Sequence, residues 1–395
     1  MRFHVLGVPH TVTHTDYVAC AFTQKVLKFC KMMTKLGHEV IHYGHADSNV
    51  ICTEHVTITN NTDLAISYGN RDWRKNVFKY TRKDHVYQIF EKNAITEIDK
   101  RKKKFDFILA FFGLVHQNIC DAFDRRWYIP VEPGIGYNEV FAPCKVFESY
   151  AIYHAITGPT VVDPSTNTVN LPNWYDAVIP NYFDPDDFIF NENKENYFLY
   201  LGRIVTGKGV DIAIDVTKEI GAKLIIAGQI PNLEEDSDDP FVKLILQNLP
   251  SHVEYVGYAD LEKRKHLMAN AKAGFVPSIY IEPFGGVQIE MLMSGTPTIT
   301  SDWGAFAENN LHGVTGYRCR TFDQFVWAAQ NIEKIESKKC REWAENFTLD
   351  KIGLMYEDYF ESVQNYYKYQ SWYKTDKKRN NLDWLNKNYP KSTFG

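Results

Sequence analysis

The stretch YFLYLGRIVTGKGVDIAIDVTKEIGAKLIIA, Tyr197–Ala227, decides the fold. It opens on a short apolar run, Tyr197–Leu201, too short for a helix and unbroken by polar residues, as a strand buried on both faces reads. A loop with three glycines follows, and then Val210–Ile220 carries apolar residues at helical spacing. Gly221 closes that helix, and Lys223–Ala227 is a second buried strand. Strand, helix and strand within about thirty residues make the unit from which parallel sheets are built.

The same rhythm continues on both sides. Downstream, an acidic loop (Leu233–Asp239) precedes a predicted helix at Phe241–Leu249 and a strand at Val253–Val256. Helix Leu261–Ala271, strand Gly274–Pro277, helix Val287–Ser294 and strand Thr298–Thr300 complete the series. Upstream, strand Phe3–Val8 leads through a polar loop with His10, His14 and Asp16 to a helix whose apolar face is Val18, Phe22, Val26, Phe29, Met33 and Leu36. Gly37 ends it, and His38–Tyr43 is the next strand. Phe105–Phe111 and Trp127–Val131 read as further buried strands, with a helix at Val115–Phe123 between them. The expectation is an α/β protein with two doubly wound parallel-sheet domains, 1–175 and 176–354, joined near Asn173–Pro180. A final helix over about 355–395, rich in Tyr and Phe, is expected to pack back on the first domain.

Composition narrows the function. The chain has 395 residues and a formal net charge of −5, without the basic excess of a nucleic-acid binder. Its 24 Tyr and 25 Phe are abundant enough to line a groove as well as fill cores. Seven scattered cysteines without a CxxC pair suit reduced thiols, hence a cytoplasmic setting. MRFHVLGV is too short for a signal peptide, and no apolar run is long enough to cross a bilayer. The basic run Arg101–Lys104 reads as a solvated helix end. A peripheral membrane contact through that run, or through the aromatic C-terminal segment, stays open.

Two strings carry chemistry. In EPFGGVQIEMLMSGTPTIT (Glu282–Thr300), Gly285 and Gly286 stand at a helix start, where exposed N–H groups favour an anion. Glu290 lies one turn further on and Glu282 in the loop leading in. Carboxylates beside an anion site repel phosphate but bind hydroxyls, so the ligand should carry hydroxyls on both sides of a diphosphate. A nucleotide sugar does. In YLGRIVTGKG, Arg203 and Lys208 follow a parallel strand, where open α/β sheets hold their ligands. Gly202, Gly207 and Lys208 almost spell a phosphate-binding P-loop, but Gly209 replaces the Ser or Thr that such a loop needs for magnesium. Asp184–Asp186 and Asp236–Asp238 match DxD on paper. Neither follows an apolar strand, so no metal site is expected.

These strings resemble the nucleotide-sugar domain of retaining glycosyltransferases of the GT-B fold, family GT4. The resemblance rests on VIPNYFDPDDF (Val178–Phe188), GRIVTGKG (Gly202–Gly209), EPFGGVQIE with SGTP (Glu282–Pro297), and Glu308 before HGVTGY. It covers the second half; in the first only LGHEV (Leu36–Val40) and the general plan agree. It implies that Arg203 and Lys208, with Gly202, hold the diphosphate, and that Glu282 with Phe284, Gly285, Gly286 and Val287 holds the sugar. Glu290 would take the ribose, and the base would lie near Gly228, Val256 and Tyr258. No cofactor is implied beyond a UDP- or GDP-hexose donor, and the acceptor would be a glycan, glycoprotein or lipid-borne sugar. The first half departs from the family pattern: Gly7 stands alone where a glycine-rich loop is usual. The catalytic His often found on that side has two stand-ins here, His116 and Glu132. A binding module without turnover and a sugar-nucleotide epimerase are the rival readings.

Overall fold

The computed structural model describes residues 1–69, 73, 80–158, 173, 175–230 and 249–369. Asp236, Asp238, most of the helix expected at Phe241–Leu249 and the chain beyond Tyr369 lie outside these residues. Strands β1 (Arg2–Leu6), β2 (Glu39–His45), β3 (Glu54–Thr59), β4 (Phe107–Ala110), β5 (Ile129–Ile135), β6 (Cys144–Phe147) and β7 (Ala177–Val178) form one sheet in the order β3-β2-β1-β4-β5-β6-β7. A second sheet contains β8 (Phe198–Leu201), β9 (Leu224–Ala227), β10 (Val253–Tyr255), β11 (Ala273–Val276), β12 (Thr298–Ser301) and β13 (Gly316–Cys319), in the order β10-β9-β8-β11-β12-β13. Every pairing in both sheets is parallel.

Burial on both faces explains the unbroken apolar strands FILA, FLYL and LIIA, all of whose residues are buried. On β1, Phe3 and Val5 face helices Ala21–Lys35 and Leu349–Tyr369, while Leu6 faces helix His85–Arg101. In the second sheet, Phe198 and Tyr200 meet helices Val210–Glu219 and Phe322–Asn331, whereas Leu199 and Leu201 meet Met268 of helix Leu261–Asn270. Each such large apolar side chain contributes about 1.5–3 kcal/mol when fully buried.

In both sheets the winding reverses direction beside the first strand, between β1 and β4 and between β8 and β11. Loops leaving the carboxyl ends diverge at such a point and open a crevice. The two crevices face each other, so the loops of both domains line one cleft.

The chain crosses between domains twice. Tyr182 is in the first core and Phe183 in the second; on return, Phe347 is in the second core and Leu349 in the first. The crossings lie side by side: Phe183 N–H donates to Phe347 O at 2.9 Å, and Leu349 N–H donates to Phe183 O at 3.0 Å. Helix Leu349–Tyr369 then packs Ile352, Tyr356, Phe360 and Val363 against Phe3, Phe29 and Phe107. The boundaries expected at 175/176 and 354/355 therefore move to 182/183 and 348/349.

Two further expectations are corrected. The helix at Val115–Phe123 is a 3-10 turn, Gly113–His116, followed by the short helix Gln117–Asp121. The strand expected to end at Val131 continues as β5 to Ile135 through a register shift between Glu132 and Ile135. This irregularity accommodates Pro133, which cannot donate to a ladder. The basic run meets its partners locally: Arg101 pairs with Glu97 and Glu54, Lys102 pairs with Asp99, and Lys104 sits 3.5 Å over the Trp127 ring. Among the described residues no helix is long and apolar enough to cross a membrane.

Candidate functional site

The cleft between the domains has a volume of about 470 Å³, within the range of small-molecule sites. Its second-domain wall is made by the loops after β8, β9, β10 and β11. Gly202, Arg203 and Lys208 come from the first of these, Gly228 and Gln229 from the second, and Tyr258 from the third. Ser278, Glu282, Gly286, Val287 and Glu290 come from the loop and helix after β11.

Backbone contacts bring the charged residues together. Ile279 N–H donates to Gly207 O at 3.0 Å, tying the two phosphate-side loops edge to edge. Lys208 Nζ consequently reaches both oxygens of Glu282, at 3.1 and 2.9 Å, and also contacts the Tyr280 hydroxyl. Ser278 Oγ donates to Glu282 Oε2 at 2.8 Å, and Ser301 Oγ in turn holds Ser278 O at 2.7 Å. Glu282 is thus a buried, fully oriented carboxylate. Tyr200 fixes the neighbouring loop by donating to Arg203 O at 2.9 Å, and the Arg203 side chain is exposed on the cleft wall.

Helix Gly286–Met293 begins behind Gly285, which adopts φ 78°, ψ 48° and offers no side-chain cap to the first N–H groups. Only glycine fits: a Cβ there would stand 2.5 Å from the Phe306 ring. Glu290, one turn into the helix, pairs with Arg264 of helix Leu261–Asn270. Among the described residues, the charged lining is three cations (Arg203, Lys208, Arg264) and two carboxylates (Glu282, Glu290). All five are on the second domain. The balance suits an anion flanked by hydroxyl-bearing groups.

The first-domain wall is aromatic: Tyr17, Phe22, Trp73, Tyr80 and Phe112 line it together with His10 and Cys20. Tyr258 bridges to this wall by donating to Asp16 O at 2.9 Å, and Gln229 Nε2 donates to Trp73 O at 2.7 Å. His10 stacks on Tyr80 with ring centroids 4.8 Å apart, and its Nδ1 is 2.6 Å from the Tyr87 hydroxyl.

Several expected residues sit elsewhere. Glu132 is buried within the first sheet. It accepts N–H bonds from Phe141 and Ala142, both at 2.8 Å, and the Tyr137 hydroxyl at 3.1 Å. It pins the following loop, because β5 runs past it rather than ending there. His116 is fully buried beneath the β1 loop, donating from Nε2 to Gly7 O at 3.0 Å and stacking on Phe90. Neither lines the cleft. Phe284 belongs to the second core, and Val256 and Gly285 stand behind the wall rather than on it. Asp184 caps the turn at Pro185–Asp187 and pairs with Lys31 across the domain boundary. Among the described residues no three His, Cys, Asp or Glu side chains gather as a metal site would require. Sequence reasoning missed Arg264, Ser278 and His10. The signal for His10 was its place in the loop after β1.

Buried histidines are expected to weaken the fold in acid. Burial pushes His10, His42 and His116 down to about 3, far below the ordinary histidine value. Above pH 6.5 these groups are neutral folded or unfolded. As pH falls from 6.5 towards 3 the unfolded chain takes up protons that the folded chain refuses, so stability is lost across that window. The loss is at most about 1.4 kcal/mol per pH unit for each histidine. Urea unfolding at pH 7 and pH 5 should show this fall; equal stability at the two values contradicts the assignment.

Two parallel-sheet α/β domains meeting at one cleft define the GT-B fold, and the structural neighbours share it. The chain superposes on the sucrose-phosphate synthase of Thermosynechococcus elongatus with a TM-score of 0.67 at 16% identity, covering 92% of this chain and 99% of that one. An Anabaena protein, Alr3699/HepE, whose structure was determined in complex with UDP and glucose, gives 0.63 at 15% identity over 92% and 100%. The model for the family described as glycosyl transferases group 1 matches residues 183–349, which is the second domain from one crossing to the other. An uncharacterised glycosyltransferase of Methanocaldococcus jannaschii is 32% identical over 176 residues, 41% of this chain. The match spans 44% of that relative's length.

Proposed function

We propose that the chain is a hexosyltransferase using a UDP- or GDP-linked sugar and a glycan, glycoprotein or lipid-borne acceptor bound by the first domain. One observation carries the reading: Arg203 and Lys208 stand with Glu282, Glu290 and an uncapped helix start in the cleft between two Rossmann-like sheets. The glycosyltransferase name of the archaeal relative and the UDP and glucose bound by the Anabaena neighbour support it.

In the reaction, the acceptor hydroxyl oxygen bonds to the anomeric carbon as the bond to the β-phosphate oxygen breaks. The electron pair leaves with the nucleoside diphosphate, and the acceptor proton ends on that phosphate. Attack from the face the phosphate leaves retains the anomeric configuration. Arg203 and Lys208 stabilise the charge developing on the leaving group, the work a metal ion does elsewhere. Glu282 anchors the sugar hydroxyls and orients Lys208. Glu290 and Arg264 hold the nucleoside side.

A melting screen against UDP, GDP, ADP and their sugars tests the donor. Ligand at about 100 times its Kd stabilises the native state by about 2.7 kcal/mol, a rise of about 5–11 °C for domains of this size. Labelled donor should then yield labelled glycan in the presence of EDTA. No shift with any nucleotide sinks the reading; isomerised donor without acceptor indicates an epimerase instead.

A further inference from the structure

Glu308 belongs to none of the donor contacts, yet it sits where the domains touch beside them. It is on the short helix Phe306–Asn309 of the second domain. Its carboxylate accepts N–H bonds from Tyr150 at 2.9 Å and Ala151 at 2.8 Å, the first turn of helix Tyr150–Thr157 in the first domain. Ser149, the cap of that helix, accepts from Ile152 N–H and donates its hydroxyl to Pro283 O at 2.5 Å. Pro283 adjoins Glu282.

The loop Glu282–Gly285 is therefore held from both sides. From the second domain, Ala305 N–H donates to Glu282 O at 3.0 Å and Asn309 Nδ2 to Phe284 O at 2.7 Å. Phe306 packs behind Gly285. From the first domain comes Ser149. A carboxylate on the orphan N–H groups of a helix start is a charge-assisted contact, favoured also by the helix dipole.

We propose that Glu308 is a positioning residue that latches the first domain onto the second and so couples closure of the cleft to the placement of Glu282 and Lys208. The coupling to transfer rests on the glycosyltransferase reading; the latch itself does not.

The test compares Glu308→Ala, Glu308→Gln and Tyr150→Pro by small-angle scattering, nucleotide calorimetry and transfer kinetics. Tyr150→Pro is the selective variant. Proline is well tolerated at the first helical position, and Ser149 already has the extended backbone (φ −155°, ψ 162°) that a residue before proline needs. It removes one donor to Glu308, together with the Tyr150 ring that packs on His154, and is compatible with the helix. Expected are a larger radius of gyration, a kcat at least tenfold lower, and a UDP Kd within twofold of wild type. Glu308→Gln, which keeps one acceptor oxygen, should fall between Glu308→Ala and wild type. Wild-type scattering and kcat in Glu308→Ala and Tyr150→Pro would overturn the proposal, as would a weakened Kd with kcat unchanged. If the wild type binds no nucleotide, the donor reading fails, and the scattering comparison alone decides the latch.

Discussion

Lys208→Ala should lower the rate of hexose transfer at saturating donor by about 10²–10³-fold, the loss seen when one fixed group that stabilises a developing charge is removed. Two effects act in the same direction. The leaving diphosphate loses a cation as its charge builds. Glu282 loses the ammonium that contacts both its oxygens and keeps only hydroxyl partners, Ser278 and Tyr280, so a buried carboxylate without its cation then faces the incoming phosphate. Adding Glu282→Gln to Lys208→Ala separates the two, because it removes the second effect and leaves the first. Single-turnover rates, with donor Kd measured independently, decide the matter. A rate within threefold of wild type would remove Lys208 from the chemistry.

Gly228→Ala is expected to be the most damaging single methyl group in the second domain's cleft wall. The loops after β8 and β9 are drawn together by Gly202 N–H donating to Ala227 O at 3.0 Å and by Ile204 N–H donating to Gln229 O at 3.0 Å. At that approach a Cβ on residue 228 would lie 1.8 Å from Gly202 O and 2.7 Å from Gly202 C. Both are backbone atoms, so no side chain can swing aside. The strands must separate, at a cost of about 3 kcal/mol or more. Urea unfolding should show that loss, and calorimetry should show nucleotide affinity down at least tenfold because Gly202 carries Arg203 with it. Undiminished affinity in a destabilised protein would place the nucleotide away from this loop.

What could be read from the sequence follows from burial. Strands covered on both faces, such as Phe198–Leu201, write themselves as short apolar runs and were legible with their helices. Of the four edge strands only β10 was read, as Val253–Val256; β3 and β13 mix exposed or half-buried residues with buried ones, and β7 is only two residues long. The far end of β5 hid because Pro133 reads as the end of a strand in sequence, while the real strand carries it through an irregular register. That one misplacement turned Glu132 into a cleft candidate. The donor loops were legible because their glycines and charges lie close together in the chain. His10 and Arg264 were not, since what places them is tertiary: Tyr87 lies 77 residues from His10 and Glu290 lies 26 from Arg264. Glu308 was visible as part of a matching string, but its partner helix, Tyr150–Thr157, was not predicted at all.

The doubled crossing at Phe183 and Thr348 has a consequence for how the molecule is made. By topology the second domain is an insertion in the first, since the first core is completed only by residues after Leu349. Domains usually fold in the order in which they are synthesised. Here the domain whose synthesis begins first is the one that must finish last, with Phe3, Phe29 and Phe107 waiting for Phe360. The same closure zips entry and exit together, so the inserted domain is held by two adjacent, hydrogen-bonded crossings instead of trailing on a single tether.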